Sequence, residues 1–196
     1  PGGFNPRAIE TCEESIRIPP LRIARQRAIK QDVYDWVIRN TRLPEWTKGD
    51  LDAMLGSCWL AERRIGELVE RYGEAGLQEA MDYSIAYAER RFREEIARWP
   101  DGEYEGETFL DSDGSYTRDI RLHVLVTIRG DELTLDWSGS SPQTRGFANS
   151  PLGNTWTHVY IALSTVVPES IPKNEGMFLP VTLITPEGSV VNPVSY

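Results

Sequence analysis

Residues 136–154 read DWSGSSPQTRGFANSPLGN. They run from a strand pattern, Leu133, Leu135 and Trp137, to a helix that Asn154 or Thr155 is expected to open. The connection is roughly fifteen residues long, where a tight turn needs about two to five. Its side chains are mostly neutral hydrogen-bonding groups around a single cation, Arg145. Such a set suits a polar or anionic ligand better than covalent chemistry. Arg145 is the expected anion contact, with Gln143 and Asn149 as orienting groups and Ser140 and Ser141 as further hydrogen-bonding groups. No serine stands in a nucleophile-elbow sequence, so no catalytic residue is assigned. A second reading stays open, an ordered loop packed at a subunit interface. In either case Trp137, Phe147 and Trp156 bracket the segment and are expected to anchor it.

Other chemistry is thinly represented. His123 and His158 are 35 positions apart and have no paired spacing for a metal. His123 is expected on the polar face of its strand, and His158 at a helix–sheet seam. DSDGS at 111–115 has the start of a calcium loop, but Tyr116 stands where the loop needs Gly and Leu122 where it needs a bidentate Glu. Cys12 lies among carboxylates, a poor setting for a nucleophile. Cys58 falls on an apolar helix face and is expected to be buried. Asn174 and Glu175 in PKNEG read as turn residues before they read as site residues. The Arg129-Gly130-Asp131 tripeptide reads as a hairpin turn.

The elements that must position these groups follow from periodicity. Residues 32–41 predict a first helix. Leu51, Met54, Leu55, Cys58, Ile65, Leu68, Val69 and Tyr72 form one apolar stripe, capped by Thr47 or Asp50 and left through Gly73. Leu77, Met81, Ile85, Ala88, Phe92 and Ile96 form the next stripe, with Glu89–Arg93 and Glu94–Arg98 as i,i+4 pairs. Both stripes are expected to be core, and the two helices an antiparallel hairpin. After Pro100 the period changes to two, through Ile120, Leu122, Val124, Val126 and Ile128. The acidic run Asp101 to Asp113 is expected at a solvated strand edge or loop. The fold class is α+β: residues 1–100 an extended lead-in and helical hairpin, residues 101–196 an antiparallel-rich sheet with a short packed helix.

A net charge of −9 argues against a nucleic-acid surface, and no apolar run is long enough for a bilayer. The composition suits a soluble cytoplasmic protein. Several stretches together resemble one family. DWSGSSPQTRGFANSP resembles the D-F/W-S/T-G-S/T-S/D-P-Q…G…N-x-P signature of the hydantoinase B/5-oxoprolinase family. IRIPPLRI, the Asn40, Arg42, Pro44, Gly49, Asp50, Leu51, Ala53 series, YAERRFR, DGEYEGETFLDSDG and IPKNEGMFLPVTLITPEGSVVNP resemble other family segments in the same order.

The resemblance implies the large subunit of an ATP-dependent, multisubunit enzyme that opens cyclic amides such as hydantoin, 5-oxoproline or lactams. It implies a hydantoinase A-type ATP-binding partner, with ATP and a divalent metal bound mainly outside this stretch. Related assemblies carboxylate ketones with bicarbonate, so an aryl-ketone carboxylase component is the alternative. A non-catalytic scaffold segment binding the companion subunit is a third reading. Family members are longer, so the chain is expected to be a piece of a larger subunit and inactive alone.

Overall fold

In the computed structural model the described residues are Ala8, Glu13, 16–114 and 116–194. Cys12 and the opening PGGFNP lie outside them. The chain divides into two compact units, residues 1–78 and 79–196.

In the first unit, strands β1 (Ala24–Arg25) and β2 (Ala28–Ile29) form a small antiparallel hairpin. Its turn residues Gln26 and Arg27 both have positive φ, and Arg27 pairs with Glu62 at 3.1 Å. Helix α1 (Gln31–Arg39) follows. A helical run, α2 (Pro44–Ile96), begins three residues before Thr47, so Thr47 and Asp50 lie inside it rather than capping it. Proline suits a first helical position because its missing N–H would have no partner there. The run is broken at Gly73, where φ is 75° and ψ 159°. Only glycine takes that conformation without strain, and the sequence places its turn at this residue.

The stripe expected to be core in this unit is not. Met54, Ile65, Leu68 and Tyr72 are between 41% and 57% exposed, and Cys58 is exposed too. Periodicity marks a face fit for burial, but burial also needs a covering layer, and the described residues leave this face open. Tyr34, in contrast, is buried at 4% exposure and donates its phenol O–H to Asp52. That bond, then burial, pushes its pKa up to about 12 from about 10. The folded state therefore holds this proton more tightly than the unfolded chain. The stabilisation is complete below about pH 10 and is lost as pH rises through about 12. Alkaline absorbance titration should show one tyrosine ionising near the upper value, and Asp52→Asn should return it toward the lower. A set of tyrosines all ionising near their ordinary value would contradict the bond.

The second unit carries the sheet, in the order β3-β4-β5-β6: β3 (Gly102–Ser112), β4 (Arg118–Arg129), β5 (Glu132–Asp136) and β6 (Val181–Ile184). The first three pair antiparallel and β6 joins parallel to β5. The acidic strand β3 is an edge strand with Glu103, Glu105 and Glu107 exposed, as its charge pattern requires. Gly130 turns β4 into β5 at φ 61°, its N–H bonded to Asp101. Asp131 of that turn pairs with Arg93 at 3.4 Å, so the tripeptide is part of the framework. Helix α3 (Leu152–Val166) starts two residues before Asn154, and a 3-10 turn spans Glu175–Phe178. The α+β class matches the expectation.

One core gathers Phe92 and Ile96 from the end of α2, Ile128, Leu133, Leu135 and Val181 from the sheet, Val159 and Leu163 from α3, and Met177. Each such side chain contributes about 1.5–3 kcal/mol of transfer free energy. The Glu89–Arg93 pair forms at 2.9 Å, but Glu94–Arg98 does not. Arg98 lies past the helix end, where its N–H bonds to the carbonyl of Glu95 three residues back. That tighter turn puts its side chain on Glu95 instead, and Glu94 takes Arg90 and Arg91. No helix among the described residues is long and apolar enough to cross a membrane.

Candidate functional site

The 137–149 segment begins as an extension of the sheet. The Trp137 N–H bonds to the Ile184 carbonyl, and Ser141 exchanges backbone and side-chain bonds with Arg121 at 2.9 Å. The Ser140 hydroxyl accepts from the His123 N–H and donates to the His123 carbonyl. Gln143 bonds through its N–H to Gly188, and its side-chain carbonyl accepts from the Val194 N–H at 2.7 Å. Residues expected to face a ligand thus lace the segment to β4 on one side and to 186–194 on the other. Sequence alone gives no sign of these bonds, because their partners lie up to 51 positions away.

The segment then folds back on itself. The Asn149 side-chain oxygen Oδ1 accepts from the Thr144 N–H at 2.8 Å, and its side-chain Nδ2 donates to the carbonyls of Thr144 and Gly146 at 2.7 and 3.1 Å. Thr144 and Gly146 are buried, while Arg145 between them is exposed. The Arg145 guanidinium lies over the Tyr116 ring, 5.3 Å from its centre. It makes no ion pair with any described residue. Of the five expected contacts, four have their side chains committed to the frame and Arg145 alone faces out.

One expected anchor, Phe147, is more exposed than Trp137 and Trp156. Phe147 is 37% exposed. A further anchor is the buried carboxylate of Asp113, from the sequence that only partly matches a calcium loop, which accepts the Gly146 N–H at 3.1 Å. His123, on a strand face expected to lie at the surface, is half-buried. Its Nδ1 is buried with no hydrogen-bond partner among the described residues, and its ring packs so close to Gly139 that a Cβ there would come within 2.3 Å. His158 does lie at a helix–sheet seam. It borders a largely apolar cavity of about 620 Å³ with Leu122, Val124, Leu135 and Val159. Its Nδ1 lies 2.8 Å from the Asn154 carbonyl, an acceptor only.

Among the described residues, no three His, Cys, Asp or Glu side chains converge as a metal site.

The family model described as hydantoinase B/oxoprolinase matches residues 1–196. The chain belongs to that family. It is 31% identical over 198 residues to the B-type subunit of a putative D-/L-hydantoinase from Pseudomonas sp. (strain NS671), covering 95% of this chain and 33% of that protein. It is 33% identical over 193 residues to the beta subunit of the caprolactamase from Pseudomonas jessenii, covering 98% of this chain and 33% of that protein. The crystal structure of the ATP-dependent caprolactamase from P. jessenii superimposes with a TM-score of 0.85 at 32% identity, over 94% of this chain and 32% of that one. The chain thus spans about a third of the length of these hydantoinase B-type relatives.

Proposed function

We propose that the chain forms part of the B-type subunit of an ATP-dependent hydrolase of cyclic amides, opening a hydantoin, 5-oxoproline or lactam ring through a phosphorylated intermediate. The observation that carries this is the match along nearly the whole chain to relatives named for hydantoin and caprolactam. The site supports it with one outward guanidinium on a fixed turn, a group suited to a phosphoryl or carboxylate oxygen. In this reading Arg145 makes the anion contact, and Gln143, Asn149, Ser140 and Ser141 hold the wall that presents it. ATP and a divalent ion are held elsewhere in the assembly, with ATP on a hydantoinase A-type partner. In this reading the assembly works in the cytoplasm.

A second reading is kept alive by one relative. The chain is 29% identical over 180 residues to the delta subunit of the acetophenone carboxylase from Aromatoleum aromaticum. Bicarbonate separates the two. For the hydrolase, ADP release by the assembled complex rises with a cyclic amide and is indifferent to bicarbonate. Release that needs both an aryl ketone and bicarbonate would move the chain to the carboxylases.

A further inference from the structure

Asp113 is fully buried, at 0% exposure. One carboxylate oxygen accepts the N–H groups of Tyr116 and Thr117, at 2.7 and 2.9 Å. The other accepts the N–H of Gly146, at 3.1 Å. The Asp113 N–H bonds to the Thr117 carbonyl at 3.0 Å. One side chain therefore ties two loops that are 33 positions apart in sequence. A buried carboxylate is costly unless donors surround it, and here backbone N–H groups do so.

The two loops it joins carry the two halves of the exposed pair. Through Gly146 the carboxylate fixes the residue next to Arg145. Through its bond to the Tyr116 N–H it fixes the residue whose ring lies under the guanidinium. The approach leaves no slack. A Cβ on Gly146 would lie 2.3 Å from the Asp113 carbonyl oxygen and 2.7 Å from its carboxyl carbon. Asn149 braces the same turn from its other side. A guanidinium held on an aromatic face keeps its donors in a defined plane, which favours an anion that offers two oxygens, a carboxylate or a phosphoryl group.

We infer that Asp113 is a positioning residue for this anion contact, setting Arg145 through Gly146 and setting the Tyr116 ring beneath it. The inference rests on the reading of Arg145 given under the proposed function. Asp113 reaches no ligand itself. Its effect on turnover passes through Arg145.

A double-mutant cycle in the assembled complex tests this, using whichever of hydantoin, 5-oxoproline or ε-caprolactam drives ADP release. Asp113→Asn keeps the size and one acceptor oxygen but sets an NH₂ group against a backbone N–H. It should lower kcat/KM about tenfold. Combined with Arg145→Ala, it should cost nothing further, because the group it positions is already gone. Independent, multiplying losses would mark Asp113 as a general structural residue and overturn the inference. If Arg145→Ala alone has no effect, the site reading fails first, and that single variant shows it. Should Asp113→Asn fail to assemble, Tyr116→Leu decides, since Tyr116 is exposed. It should lower kcat/KM about threefold in the wild-type background and have no effect in Arg145→Ala. An equal loss in both backgrounds, or none in the wild type, would overturn the inference.

Discussion

Replacing Arg145 by alanine in the assembled complex is expected to lower substrate-dependent ADP release by about tenfold or more, which corresponds to about 1.4 kcal/mol of transition-state stabilisation. The expectation rests on what surrounds the residue. Its neighbours Thr144 and Gly146 are buried and bonded, so the backbone at 145 is fixed. Its side chain is exposed and pairs with no described carboxylate, so an incoming anion need displace none of these. Arg145→Lys sharpens the test. Lysine keeps the charge but loses the planar fork and its seat on Tyr116, so it should recover only part of the loss. Steady-state kinetics with assembly checked by size-exclusion chromatography reads both variants. Unchanged turnover with intact assembly would remove the loop from the site and favour the interface reading.

Gly176→Ala is expected to destabilise the second unit by about 3 kcal/mol or more. A Cβ at this position would lie 1.9 Å from the Ile85 carbonyl oxygen and 2.7 Å from its carbonyl carbon. Both are backbone atoms of a helix and cannot swing aside as a side-chain tip can. The neighbouring contacts leave no easy escape. Met177 is fully buried in the core, and Asn174 donates to the Ser84 carbonyl at 3.1 Å while accepting the Gly176 N–H. Moving the 3-10 turn away would break these together. Urea unfolding measures the loss, and a midpoint within error of the wild type would show that the approach tolerates a methyl group.

How far the sequence can be read varies with the range of the interaction. Period-two alternation locates β4, and the acidic run on β3 indicates a solvated edge, because both are local patterns. Gly73 is legible as a break, since a positive φ demands glycine. The exposure of the stripe at Met54, Ile65, Leu68 and Tyr72 is not legible, because a pattern states which face can be buried and not whether anything covers it. In the site, Arg145 stands out as the one cation in a polar stretch. The frame around it does not. Asp113 and Gly146 are 33 positions apart, and the residues around Asp113 suggest only an incomplete calcium loop. Its place among turn residues, able to accept backbone N–H bonds, is the available signal.

The central claim is tested most directly by counting ADP and ring-opened product together in the assembled complex, with hydantoin, 5-oxoproline and ε-caprolactam in turn and bicarbonate removed. One of the three is expected to yield both products in equal amounts. Neither product from any of them, alongside ADP release driven by an aryl ketone with bicarbonate, would contradict the cyclic-amide reading.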